Sequence, residues 1–256
     1  MPGEMISAAQ ILAGSGAAGW LVDKLLGPSA DALGEQIKVF ATDNLQRIFS
    51  KASARQGQIV LQPLNPAFAY QFIQKASFSE DDDFIVESWA NLLLQASIDF
   101  KPRLSLIADI LSQLNAEDAR RLDAMVPSDY ALELPAVVPV NIRTSLISEV
   151  ESKVQAHPTT LDGVQRLIQA LNLEQLYWPS VITNAHLPYN DAESGRTTWY
   201  GGGQGVTTSH NVLIRQGLLE RFDLDITLDS SGPNVEGLMI TGLGLEFITI
   251  CRGVKL

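Results

Sequence analysis

Residues 79–122 read SEDDDFIVESWANLLLQASIDFKPRLSLIADILSQLNAEDARRL, an acidic opening followed by three closely spaced amphipathic segments. Ser79 with Glu80, Asp81, Asp82 and Asp83 stands where a helix begins, because carboxylates there meet the positive end of the backbone dipole. Phe84, Ile85, Trp89, Leu92, Leu93 and Ala96 then recur at helical spacing and predict one buried stripe. Pro102 introduces the next helix, with Leu104, Ile107, Ala108, Leu111 and Leu114 inward, and Asn115 with Asp118 resembles a capping pair for a helix through Leu122. A calcium loop does not fit the acidic run, since no glycine follows at the turn position and no distal glutamate completes the set. Apolar faces joined by short loops predict antiparallel helices in an all-α bundle.

The same pattern continues toward the N-terminus. Asn65-Pro66 opens a helix with Phe68, Phe72 and Ile73 on its buried side, because Asn caps well and Pro is preorganised for the first turn. Ile59, Val60 and Leu61 carry some strand character within a linker. Before it, Leu33, Ile37, Phe40, Leu45, Ile48 and Phe49 give one apolar face up to about Ser53, on a helix that Ser29 can cap. Arg47, Lys51 and Arg55 are four apart, and as cations near a helix C-terminus they complement its dipole; a lipid or phosphate contact is the sharper alternative. Gly27-Pro28 breaks off an earlier segment, Ile6–Val22, which is free of charge, rich in Ala and Gly, and shorter and less apolar than a spanning helix needs. It is read as a packed or oligomer-forming helix. Residues 1–126 therefore form the expected N-terminal all-α domain.

Composition changes after Pro127, and 127–256 is expected to be a winged-helix-like α+β domain. Glu133–Val140 is a proline-punctuated connector, and helices are expected over 142–155 and 160–172. Residues 173–208, with Trp178, His186, Tyr189, Trp199, Tyr200 and the run Gly201–Gly205, carry no clear period and are read as an irregular insertion. Val212–Arg221 is a short helix. Phe222, Leu224, Ile226 and Leu228 alternate with polar residues as a strand, Glu236–Thr241 returns as a second, and Thr241 caps a terminal helix containing Leu243, Phe247, Ile248 and Cys251. The cluster Ile248-Thr249-Ile250 could extend the sheet instead. The fold class is mainly α: a helical bundle followed by a helix–hairpin domain with an insertion.

Charge and chemistry narrow the functions. The 256-residue chain has a formal net charge of −11, and residues 142–256 hold eight Lys/Arg against twelve Asp/Glu, with Asp223, Asp225 and Asp229 where a phosphate-binding wing would want cations. Nucleic acid is therefore disfavoured as a partner. A single cysteine, Cys251, excludes an internal disulfide framework and fits a reducing cytosol; the acidic N-terminus shows no secretory leader, so a cytoplasmic protein is expected. His157, His186 and His210 lack metal-ligand spacing, with His157 and His210 expected as capping or surface residues, and His186 with Asp191 has proximity without established geometry. The glycine run lacks the Lys-Ser/Thr of a phosphate loop, and no serine sits in a nucleophile elbow. No catalytic, cofactor-binding or metal residue is assigned, and no enzyme is expected. Exposed aromatics anchor interfaces, so Trp199 and Tyr200, with His186 and Tyr189, are the candidate partner-contact residues.

Residues 21–122 and the close of the chain resemble the abortive infection alpha (Abi-alpha) family of bacterial proteins. The resemblance lies in Asp23–Gly34 (DKLLGPSADALG), in Glu87–Ala90 through Leu92, Leu93 and Ala96, and in Ile107–Leu122 with its QLNAEDARRL ending. It continues in Gly217–Glu220, Ile240–Gly244 and Phe247, whereas 126–208 matches nothing in the family. These are helix-packing patterns, so no catalytic residue carries over. The resemblance implies prokaryotic antiphage defence, in which infected cells stop growing or die before phage mature. The expected function is thus a non-enzymatic effector that binds a phage or host protein or assembles with itself. Two alternatives stand beside it: a membrane-perturbing effector using 6–22, and a winged-helix transcriptional regulator.

Overall fold

The computed structural model describes residues 32–56, 62–126, 148–149, 152, 180–190, 197–202, 205–225 and 234–253. The helices expected at 6–22 and 160–172 and the strand-like Ile59–Leu61 lie outside these residues, and of 142–155 only three helical positions are described. The first five elements are α1 (Ala32–Gln56), α2 (Pro66–Ala76), α3 (Asp83–Ile98), α4 (Arg103–Leu111) and α5 (Ala116–Met125). Then come β1 (Ser180–Asn190), β2 (Thr197–Gly202), α6 (Thr208–Arg215), β3 (Leu219–Asp225), β4 (Asn234–Ile240) and α7 (Gly242–Arg252). The protein is mostly helical, with a small antiparallel sheet in its C-terminal part. The chain divides into two compact units, Met1–Arg120 with Phe247–Lys255, and Arg121–Glu246. The sequence boundary after Val126 had kept all of the terminal helix in the second part.

In the first unit α3 is the central element. Its expected stripe of Ile85, Trp89, Leu92, Leu93 and Ala96 is buried, and so are Val86, Ser88, Ala90, Asn91, Leu94 and Ser97, so the helix is covered nearly all round; Phe84 is only half-buried. Trp89 is fully buried and meets Phe72 edge-on, with ring centroids 5.3 Å apart, and Phe72 continues into Phe68 and Phe100. Asn65 caps α2, its side-chain oxygen accepting from the Ala67 and Phe68 N–H groups, with Pro66 in the first turn. Asn115 likewise accepts from the Asp118 N–H at 2.8 Å.

Each acid of the Glu80–Asp83 run has a named structural task. Glu80 accepts from the Ala116 N–H at the start of α5 at 2.7 Å. Asp82 caps α3 through the Phe84 N–H and pairs with Arg120 at 2.6 Å. Asp81 and Asp83 pair with Arg47. Burial pushes the Asp82 carboxyl up, but the Arg120 guanidinium and the Phe84 and Ile85 N–H groups outweigh it and hold the group below its ordinary range.

In the second unit the sheet order is β2-β1-β4-β3, with all three pairings antiparallel. This corrects two expectations. The irregular insertion at 173–208 supplies β1 and β2. The helix expected over Val212–Arg221 ends at Arg215, because Gly217 takes φ +72 and closes a Schellman turn: Leu218 N–H to Leu213 C=O at 2.9 Å and Gly217 N–H to Ile214 C=O at 2.9 Å. Leu219–Arg221 then open β3. The hairpin β3–β4 formed near its expected place, but β4 also pairs with β1, so it is an inner strand of the sheet. Phe222 is buried and pairs in register with Gly237, whose missing side chain leaves room for the ring. Thr241 caps α7 as expected, and Ile248-Thr249-Ile250 are helical.

Candidate interaction surface

The register of β1 and β2 brings the four expected contact residues onto one hairpin. Leu187 lies opposite Tyr200, Pro188 opposite Trp199, Tyr189 opposite Thr198 and His186 opposite Gly201. Partners across a strand pair share a face and neighbours along a strand alternate. Tyr189 and Tyr200 therefore hold positions on one face, and His186 and Trp199 on the other. Among the described residues β2 is an edge strand. Its sequence, Thr-Thr-Trp-Tyr-Gly-Gly, carries no charge, whereas the opposite edge, β3, carries Glu220, Arg221, Asp223 and Asp225. Charged edges resist strand addition and neutral ones admit it. Gly205, with φ +66, closes the glycine run, and its N–H donates to the Thr183 C=O at 2.8 Å.

His210, expected as a capping or surface residue before a helix, takes part in a cap from within α6, as its third residue, and it is buried. Thr207 Oγ1 accepts from the His210 N–H at 3.3 Å, and His210 Nδ1 accepts from the Thr207 N–H at 3.1 Å, a reciprocal capping box. Nδ1 as acceptor requires the neutral ring. Burial, with the Arg121 charge added, pushes the imidazole below its ordinary range. His157 and Asp191 lie outside the described residues.

The basic stripe of α1 is not an open anion site. Arg47 pairs with Asp81 and Asp83, Lys51 with Asp83 at 3.3 Å and Glu87 at 3.1 Å, and Arg55 with Glu87 at 3.3 Å. Arg55 Nη1 also donates to Asn91 Oδ1 at 2.6 Å. The hydrogen bonds Arg47–Asp83, Lys51–Glu87 and Arg55–Asn91 all span 36 residues, so α1 and α3 run in the same direction as a ladder. The hydrogen bond to Glu87 raises the Lys51 ammonium above its ordinary range, against burial and with help from Asp83. An open groove of about 580 Å³ lies beside the ladder, lined by Asp43, Gln46, Arg47, Ser50, Lys51 and Asp83.

Asn91, which no sequence pattern singled out, ties the end of α7 into the first unit. It is 5% exposed, and its Nδ2 donates to the Cys251 C=O at 2.6 Å while its Oδ1 accepts from Arg55. Gly253, with φ +72, passes so close that a Cβ would stand 2.7 Å from Asn91 Oδ1. Among the described residues no three His, Cys, Asp or Glu side chains gather as a metal site, and no helix is long and apolar enough to cross a membrane.

No protein-family model matches the chain, and neither a curated protein nor a solved structure matches it significantly.

Proposed function

We propose that this chain is a non-enzymatic effector of prokaryotic antiphage defence that acts by binding a phage or host protein or by assembling with itself. The defence setting comes from the resemblance to the Abi-alpha family; the binding role is carried by the β1–β2 hairpin. That hairpin carries Trp199 and Tyr200 on β2, a neutral edge among the described residues, with His186 and Tyr189 on the adjoining β1, and aromatic anchors and strand addition both serve protein contact. In this reading the helix–hairpin arrangement of α6, β3 and β4, the winged-helix-like part, mediates assembly. The acids of β3 speak against its use on DNA. The ladder engages Arg47, Lys51 and Arg55, so the membrane alternative rests on residues 6–22 alone.

The test is phage plating and culture survival in a bacterial host expressing the protein, at low and high phage dose. Protection at low dose with culture collapse at high dose is the expected result, and Trp199→Ala with Tyr200→Ala abolishes it at unchanged protein level. No protection across a broad phage panel overturns the defence reading. Protection that persists in the double variant overturns the role of the hairpin.

A further inference from the structure

The geometry points to an acid-opened latch in the second unit: protonation of His210 releases residues 206–210, the entry to α6, while the rest of that helix stays in place. This inference stands apart from the defence reading. Two ties hold the entry. On one side the Gly205 N–H donates to the Thr183 C=O of β1 at 2.8 Å. On the other is the reciprocal cap, in which the Thr207 N–H donates to His210 Nδ1 at 3.1 Å and the His210 N–H to Thr207 Oγ1 at 3.3 Å. Little else is buried there. Gly205 is exposed, with nothing within 4 Å of the place a Cβ would take, Val206 is 37% exposed and Thr208 is exposed. The imidazole, 8% exposed, is the buried anchor of the entry.

A proton undoes that anchor in two ways. Because Nδ1 accepts from a backbone N–H, the neutral ring carries its hydrogen on Nε2, and a second hydrogen at Nδ1 sets two donors against each other. The new charge also meets Arg121 of α5, the charged group among the described residues whose field reaches the ring. On β3, which packs on α6, Arg221 is turned to Asn211 Oδ1 at 3.0 Å, and Glu220 and Asp223 are exposed. Swinging the ring into water relieves both conflicts. In the closed entry burial and Arg121 hold the imidazole below its ordinary range, whereas in water it titrates near pH ~6.5. Opening is therefore favoured as pH falls below ~6.5, and its rise levels off at the lower pKa of the closed form. It stops within α6, because Leu213 is fully buried and its carbonyl accepts from the Leu218 N–H in the turn that Gly217 closes.

Amide hydrogen exchange of the full chain, followed residue by residue in NMR from pH 7.5 to 5.0 and corrected for the intrinsic rates, tests this. The amides of His210 and Asn211, both bonded to Thr207, are expected to open more often in acid, by up to about tenfold per pH unit below pH ~6.5. The Leu218 amide and those of β4 keep their neutral-pH protection. Opening at His210 and Asn211 that does not change with pH overturns the inference. An equal rise at Leu218 and in β4 also overturns it, in favour of whole-unit unfolding. His210→Gln supplies the second arm, because Gln at this third helical position can reach back to the Thr207 N–H and does not titrate. The variant is expected to lose the acid-dependent opening, and the same rise in it overturns the role of His210. Nitrogen-15 spectra of the wild-type imidazole keep the test independent of how the variant folds. A neutral ring protonated at Nε2 is expected at pH 7.5, and one protonated at Nδ1 overturns the inference.

Discussion

His210 shows how a single side chain can set the conditions under which its neighbourhood is stable. Its Nδ1 accepts a backbone N–H, and protonation there removes the acceptor. The folded protein holds the group below its ordinary range, chiefly by burial and secondarily through Arg121, so the unfolded chain binds the proton more readily. The stabilisation from neutral His210 is therefore fully present above pH ~6.5 and is lost as pH falls below that value toward the depressed folded pKa. Urea unfolding of the second unit, followed from pH 7.5 to 5.0, is expected to shift to lower midpoints in acid. His210→Asn should flatten that dependence, because Asn keeps a capping acceptor without titrating. An equal slope in both proteins would assign the acid sensitivity elsewhere. His210 was expected as a capping or surface residue before a helix; it lies within α6 as its third residue, completing the cap of Thr207, and its burial depends on contacts that helical spacing does not record.

At the scale of elements, the described helices were legible apart from the end of α6, and half the sheet was not. Caps at Asn65, Asn115 and Thr241, and the proline starts at Pro66 and Pro102, are local chemistry that acts within four residues, so the sequence announces them. β1 hides itself: its alternation breaks at the irregularity between Ile182 and Asn184, and it contains Pro188. The proline is tolerated because pairing with β4 ends at His186, so at Pro188 the strand has a described partner on the β2 side alone. The α1–α3 ladder was half legible, its cations at one spacing and its acids at the same spacing, without the link between them. Glu87 serves both Lys51 and Arg55. Glu87→Lys is expected to cost about 1 kcal/mol or less in urea unfolding at low salt, since these groups are partly solvated, and the cost should shrink in high salt. Pairing it with Lys51→Glu should recover part of the loss. Additive losses in the double variant would show that the ladder is geometric proximity without coupling.

For the whole molecule, the sequence reading placed a helical part before a mixed part but could not see that Phe247–Lys255 group with the first. Asn91 and Cys251 are 160 residues apart, and no period or motif spans that distance. A chain ending at Glu246 loses the buried Phe247, Ile248, Ile250 and Cys251 and leaves Asn91 without its carbonyl. Amide protection in α3 should then fall by about a hundredfold or more in hydrogen exchange, because a buried polar group left unpaired is added to lost apolar contact. Full protection in the shortened chain would show that the first unit is complete without those residues. The same tie orders events during synthesis. α1 to α4 emerge from the ribosome early, yet the unit they form lacks its last piece until residues 247–255 have followed. A nascent chain stalled or cut between the two leaves those helices with an open seam, so the first unit closes only after most of the second has been made.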